Sequence, residues 1–340
     1  MNPVSWLLSK ENLAIGIDLG ATKIRVGIGD RKGNIYRKKV VYTPKEGDPY
    51  TISNLLIEII DQLTKDISEK IQGIGIGSIG PLNLREGAII GTSNINIKRI
   101  ELVKPLKEKY NLPIILLNDC VAAVWGEKHF GQGKNVNNLV YITLSTGIGG
   151  GIIVNGHLLL GKDGNAHEIG HIVIDYEGRL ICGCGGPGHW EAYCSGSNLP
   201  KYAKLLVEEG KVKYSKSSSK EFLNKIIEES VDTKTIFQKA RQGDGLALQI
   251  IEHVGRLNAI GFANVVTAYD PELIIVGGAI AINNPELVLE PIKKHIGKYT
   301  LNRVPKITLT QLGDNVGIYG ALAAVFNTPP EYWEIAKNIG

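Results

Sequence analysis

The chain has 340 residues, 43% of them hydrophobic, which is enough to bury substantial cores and long enough for two domains rather than one. Its 38 basic and 34 acidic residues leave a formal charge of +4, and no dense Lys/Arg stripe with interleaved aromatics occurs, so nucleic acid is not an expected partner. The only apolar run near the start is Trp6, Leu7 and Leu8, too short for a signal-peptide core or a membrane span, so the expectation is a soluble cytoplasmic protein with no membrane partner.

Residues 13–29 alternate apolar with small or polar side chains on both sides of Gly20, Ala21 and Thr22, which predicts a β-hairpin. Residues 50–70 carry Ile52, Leu55, Leu56, Ile59, Ile60 and Leu63 at helical spacing, and residues 71–79 return to strand alternation, so the fold class is α/β. A polar cluster of Thr92, Ser93, Asn94 and Asn96 follows. A strand over 114–117 ends at Asn118 and Asp119, where a helix through 121–130 begins. Side chains at such strand exits face the ligand crevice of open α/β sheets.

Residues 139–155 repeat the plan of the first hairpin, strand, Thr/Gly turn, strand, and two such hairpins imply two similar lobes. Residues 162–197 are rich in Gly, His and Cys with little periodicity and read as a functional loop, whereas Ile172, Val173 and Ile174 read as a short strand. Helical patterns cover 199–207 and 235–268. A strand over 273–276 runs into Gly277 and Gly278, and a further glycine turn opens an alanine-rich helix near Gly317.

Phosphoryl transfer asks little covalent chemistry of a protein. It needs backbone donors around phosphates, a carboxylate for a metal ion, and a base beside the acceptor hydroxyl. Gly20 and Thr22 lie in a turn where main-chain amides can approach phosphate, and Asp18 can hold hydrated magnesium. Ser145, Thr146, Gly147 and the glycines to Gly151 offer a matching second turn. Asp119 at a strand exit can accept a hydroxyl proton, although Asn118 or Asp119 serves equally well on sequence as a helix cap. His167-Glu168-Ile-Gly-His171 matches a metalloprotease signature, but the glycines weaken a helix there and the extended form of that signature is not followed.

With these motifs in order, the chain resembles the ROK family of sugar kinases, repressors and open reading frames, within the actin-like ATPase superfamily. The resemblance spans nearly the whole chain and is carried by Asp18-Leu-Gly-Ala-Thr-Lys23, Asn118-Asp119, Ser145-Thr146-Gly147-Ile-Gly-Gly-Gly151, Glu168-Ile-Gly-His171, Cys182-Gly-Cys184-Gly and Glu191. It implies two ribonuclease-H-like lobes with a cleft between them. Residues 1–118 would form the small lobe, with the helix from about 317 to 340 packed back onto it. Residues 119–316 would form the large lobe, with the sugar-binding and zinc loop at 162–197.

By the same resemblance, Asp119 is the general base. Asn118, Asp119, Glu168, His171 and Glu191 contact the sugar, Asn94 adds a contact, and Gly80 lets the sugar approach closely. Asp18, Gly20, Thr22, Lys23, Thr146 and Gly147 would hold the phosphates of ATP and its Mg²⁺, with Gly277 and Gly278 beside the adenosine. A structural Zn²⁺ would sit on His171, Cys182, Cys184 and a fourth ligand; His189 stands where the family commonly has Cys, and Cys194 is the alternative. Such a zinc would orient sugar-recognising groups without touching the phosphates. Cys120 reads as a small buried residue.

The implied reaction moves the γ-phosphoryl group of ATP to the primary hydroxyl of glucose or a related hexose. A kinase for an amino sugar such as N-acetylglucosamine or N-acetylmannosamine, and a non-catalytic sugar sensor, stand as alternatives. With only about twelve residues ahead of the first strand, a helix-turn-helix domain is not expected. A homodimer is.

Overall fold

The computed structural model describes residues 12–68, 70–92, 95–214 and 218–336. β1 (Leu13–Leu19) and β2 (Lys23–Asp30) form the expected first hairpin, with Leu19 opposite Ile24 and Asp18 opposite Arg25. β1 is buried along nearly its whole length, as a central strand covered on both faces must be, whereas β3 (Ile35–Tyr42) alternates half-buried and exposed residues as an edge strand does. α1 (Thr51–Thr64) buries Ile52, Leu56, Ile59 and Ile60, the stripe its apolar spacing requires. β4 (Ile71–Ser78) pairs parallel with β1. β5 (Leu82–Asn83), β6 (Ala88–Ile90) and β7 (Arg99–Glu101) make a small sheet of their own. α2 (Val103–Tyr110) then leads to β8 (Ile114–Asn118), parallel to β4, and into α3 (Asp119–His129). The first large sheet has the order β3-β2-β1-β4-β8.

β9 (Leu139–Leu144), β10 (Ile148–Val154) and β11 (His157–Leu158) open the second large sheet. The chain then passes through a single 3-10 turn (Ile169–His171) and a long loop to α4 (Glu191–Cys194), α5 (Leu199–Glu208) and α6 (Lys220–Ile227). The helical pattern of 235–268 resolves into α7 (Thr233–Arg241) and α8 (Gly245–Tyr269). They are separated at Gly243, whose φ is +80°, and at Asp244, which caps α8 by accepting from the N–H groups of Leu246 and Ala247. β12 (Leu273–Gly277), α9 (Ala279–Asn283), α10 (Pro285–Ile296) and β13 (Lys306–Leu309) follow, and α11 (Val316–Phe326) and α12 (Pro330–Ile335) end the described chain. The second sheet has the order β11-β10-β9-β12-β13. Counted from each sheet's own first strand, both read 3-2-1-4-5, so the repeat visible in the two hairpins extends to whole sheets.

The described chain divides into two compact units, one of residues 12–141 with 151–167 and 310–336, the other of 142–150 with 168–309. This differs from the sequence-based cut between 118 and 119, because α3 packs on α11 and β4 and so joins the first unit. α11 lies on β1 and β4 at a separation only glycine allows. A Cβ on Gly75 would stand 1.9 Å from the carbonyl oxygen of Ala321, and one on Gly320 would stand 2.0 Å from that of Ala122 on α3. Tyr332 on α12 accepts the backbone N–H of Leu116. No helix among the described residues is long and apolar enough to cross a membrane.

Candidate functional site

In the first unit the candidate residues gather where β1 and β8 end. Asn118 caps α3, its Oδ1 accepting from the N–H groups of Cys120 at 2.9 Å and Val121 at 3.3 Å. The capping role on which the sequence was ambivalent thus falls to Asn118. Asp119 is the first residue of the helix, where the aligned peptide dipoles favour a negative charge, and its Oδ1 accepts from Cys120 N–H at 2.8 Å.

Asp18 Oδ2 receives Nη1 of Arg25 at 2.9 Å, across the hairpin from it. Its carboxyl is wedged against the first turn of α11, since a Cβ on Gly317 would lie 2.5 Å from Asp18 Cγ. Burial pushes the Asp18 carboxyl up to about 6; Arg25 opposes the rise, and the nearby Asp119 and Asp314 add to it. Two acids at the ends of β1 and β8, one of them with its pKa raised by burial, form a set that a divalent cation would complete.

The first hairpin's turn is itself secured. Gly20 N–H donates to Lys23 O, Thr43 Oγ1 to Gly20 O, and Lys45 Nζ to Ala21 O. Thr22 and Lys23 are exposed, and Lys23 Nζ lies 6.0 Å from the centre of the Tyr42 ring. Gly80, just past β4, would carry a Cβ 3.9 Å from Asn118 Nδ2. Asn94 lies outside the described residues.

In the second unit the loop after the 3-10 turn closes into a knot. Cys182 N–H donates to Gly186 O, Gly185 N–H to Cys182 O, and short bridges join Ile181 to Pro187 and Val173 to His189. Of the strand expected over 172–174, only that bridge at Val173 forms. Glycine is required beneath the imidazole, because a Cβ on Gly186 would meet His189 Cε1 at 2.1 Å.

The result brings His171, Cys182, Cys184 and His189 together, with one ligand atom of each within 4.8 Å of all the others. His171 Nδ1 is 3.3 Å from His189 Nδ1, 3.7 Å from Cys182 Sγ and 3.5 Å from Cys184 Sγ, and Cys184 Sγ is 3.3 Å from His189 Nδ1. Zinc bonds of about 2.0–2.1 Å to nitrogen and about 2.3 Å to sulfur put the vertices of a tetrahedron roughly 3.3–3.8 Å apart, so the four side chains fit that ion. Without a cation, burial pushes the Cys182 thiol up to about 12, and burial together with His171 holds His189 below its ordinary value. A bound dication reverses that preference by stabilising thiolate and neutral imidazole.

Cys194, the alternative ligand, is instead buried with its Sγ 3.7 Å from Val254 O on α8, and Cys120 is buried as expected. His167 is also buried and stands outside the four-residue group; with only a 3-10 turn at 169–171, the protease arrangement of two histidines on one helix does not form.

His171 serves two sides. Its Nδ1 points into the knot while its Nε2 is 3.5 Å from Glu168 Oε2, so a metal on Nδ1 would leave the proton on Nε2, facing the carboxylate. Glu191 opens α4 and accepts from Ile148 N–H at 2.8 Å through Oε2, while its Oε1 lies 3.5 Å from Cys182 Sγ. A Cβ on Gly147 would stand 2.6 Å from Glu191 Oε2, so a larger residue there would displace that carboxylate. Gly278, with φ +85°, would bring a Cβ within 2.4 Å of Leu144 O, so the end of β12 lies against the end of β9 that leads into the Thr146–Gly147 turn.

Two supports have no obvious mark in the sequence. Arg25 becomes visible only once the hairpin register is counted. Asp175 accepts the Tyr193 hydroxyl at 2.5 Å and Arg179 Nε at 3.0 Å, tying the knot loop to α4. Against burial, which raises it, the Tyr193 hydroxyl and Arg179 hold the Asp175 carboxyl below its ordinary range.

The chain as a whole is similar to known proteins. The chain is 38% identical over 331 residues to the glucokinase of Pyrobaculum calidifontis, an alignment covering 96% of this chain and 98% of that protein. Among solved structures, the ROK hexokinase from Thermus thermophilus superposes with a TM-score of 0.78 at 31% identity, covering 92% of this chain and 98% of that one. A ROK family glucokinase from Streptomyces griseus, solved with glucose and AMPPNP, gives a TM-score of 0.72 at 31% identity with the same coverage. The fold is therefore the two-lobed, actin-like ATPase fold of these kinases, built here as two sheets of one strand order. The ROK family model matches residues 14–327, from the first strand to the end of the helix behind Asp18, and the chain belongs to the ROK family.

Proposed function

We propose that this protein is an ATP- and Mg²⁺-dependent hexose kinase that phosphorylates the primary 6-hydroxyl of glucose or a closely related hexose. The observation that carries the reading is Asp119, a carboxylate at the first position of α3, at the exit of β8 and electrostatically coupled to Asp18. Asp119 accepts the proton of the sugar hydroxyl as that oxygen attacks the terminal phosphate. Asn118 fixes the helix start, so the base is presented by a rigid strand-to-helix junction rather than by a mobile loop. Asp18, held by Arg25, is the carboxylate for Mg²⁺, whose chemistry when bound is to neutralise charge on the phosphate oxygens. The amides of the Gly20 and Gly147 turns supply donors to the phosphates, and Gly277 and Gly278 border the nucleoside. Glu168, His171 and Glu191 recognise sugar hydroxyls, and His171, Cys182, Cys184 and His189 hold a structural Zn²⁺ that orients them. The likeness to the glucokinases favours glucose over an amino sugar, and the enzyme works as a cytoplasmic homodimer.

The test is sugar-dependent ADP release from MgATP by the purified protein over glucose, mannose, fructose, glucosamine, N-acetylglucosamine and N-acetylmannosamine. Turnover highest with glucose supports the proposal. Turnover highest with an acetylated amino sugar reassigns the acceptor, and sugar binding without turnover replaces the kinase with a sensor.

A further inference from the structure

We propose that Glu191 is a positioning residue for the nucleotide-side turn at 145–148 as well as a sugar contact, and that it couples the metal-ligand knot to that turn. The inference rests on the phosphoryl-transfer reading above.

The turn is glycine-rich and has little side-chain substance with which to fix its own shape. Its one internal bond runs from Ser145 N–H to Gly147 O at 3.0 Å. The remainder of its support comes from residues 191–197. Ile148 N–H donates to Glu191 Oε2 at 2.8 Å, Gly196 N–H to Ser145 O at 2.7 Å, and Ser197 N–H to Thr146 O at 3.2 Å. The first of these is a charge-assisted bond and the only one made by a side chain, so it is the one a ligand can compete for.

That same segment is an extension of the knot. His189 is two residues before Glu191, and Glu191 Oε1 approaches Cys182 Sγ. Between them Trp190 is fixed in the core, its Nε1 donating to Asn258 Oδ1 at 2.9 Å over the Cβ-free face of Gly261 on α8. Tyr193 on the other side of Glu191 donates to Asp175 in the knot loop and accepts Leu180 N–H. With its neighbours locked, α4 transmits a displacement of the knot to the Glu191 carboxylate, and the carboxylate passes it to Ile148. A sugar hydroxyl drawing on Glu191 therefore alters the turn's support, and by linkage a nucleotide seated on the turn alters sugar affinity by the same factor.

The experiment uses full-length, zinc-loaded protein without sugar. It compares wild type with Glu191→Ala and Glu191→Gln by amide hydrogen exchange over residues 145–150 and by calorimetric binding of ADP. Glu191→Ala should speed exchange at Ile148 by at least about tenfold and weaken ADP binding about tenfold. Glu191→Gln keeps a carbonyl oxygen for the same N–H and should restore both to within about threefold. Removal of zinc with a chelator should speed the same exchange in wild type. Unchanged exchange and ADP affinity in Glu191→Ala overturns the proposal, as does a Glu191→Gln protein that melts like wild type but fails to restore exchange. If Glu191→Ala speeds exchange yet wild type binds no ADP, the positioning role stands and the kinase reading falls.

Discussion

Asp18 at the end of β1 and Asp119 just past β8 have opposite tasks in the proposed reaction, and their surroundings separate them. Asp119 sits at a helix N-terminus, and Asn118 takes the capping bond that would otherwise be the obvious reason for a polar residue there. Asp119→Ala should therefore lower kcat by at least about 10²-fold while leaving the sugar KM within a few-fold, measured by coupled ADP release. Near-normal turnover would remove it as the base.

Asp18 is held at a free-energy cost. Its carboxyl, raised from the ordinary 3.8 to about 6 by burial, contributes stability that is fully present below pH 3.8 and is lost as pH rises through 6. In the absence of Mg²⁺ and nucleotide, Asp18→Asn should raise stability at pH 7 by about 1–2 kcal/mol after allowance for the lost Arg25 ion pair, and the gain should vanish below pH 4. The same change should abolish Mg²⁺-dependent turnover. Thermal melts at the two pH values check the first statement, since an unchanged difference between them excludes Asp18 as its source. Both acids are legible in the sequence because Asp18 precedes a glycine turn and Asp119 ends an apolar strand run. Arg25 is not, because nothing marks it until Leu19 is paired with Ile24 and the register places it opposite Asp18.

At the scale of elements, alternation and helical spacing are enough to find both hairpins, α1, β4, β8 and the helices around α8. They are not enough for the glycines inside β1 and β4, whose purpose is set by a helix more than 200 positions away in the chain. Gly75 and Gly320 are small because α11 approaches β4 and α3 within backbone contact. Gly320→Ala, although it raises helix propensity, should destabilise the protein by about 3 kcal/mol or more, because the new methyl group meets the Ala122 backbone rather than a side chain that could turn away. Gly183 is the contrast: no atom lies within 4 Å of its added Cβ and its φ is not positive, so Gly183→Ala should shift the midpoint by less than about 0.5 kcal/mol and keep the metal. Denaturant titration of the two variants side by side checks both. The irregular segment 171–190 escapes period-based reading because its shape comes from turns, bridges and four converging His and Cys side chains, none of which has a period.

Over the whole molecule, the repeat of the hairpin foretells two similar sheets, and both have the strand order 3-2-1-4-5. The return of the C-terminal helix to the first unit is expected from the sequence, but that of residues 151–167 is not, and only packing reveals it. This division bears on what a bound zinc would do for the protein. The knot lies in the second unit, whose core is built on α8, with Leu246, Ile250, Phe262 and Val266 fully buried and none of the four ligands on that helix. If the ion served global stability, chelation would lower the melting transition by tens of degrees, as in small domains that fold only around a metal. With a core of this size already present, the expected outcome differs. The isolated protein should carry about one zinc per chain, and Cys182→Ser or chelation should remove it with a fall in the melting midpoint of no more than about 5 °C. Sugar KM should rise by at least about tenfold as His171 and Glu191 lose their fixed positions. Metal analysis, a thermal melt and one sugar titration on the same sample decide it: collapse of the fold on chelation would make zinc a folding cofactor, and an unchanged KM would separate the knot from the sugar site.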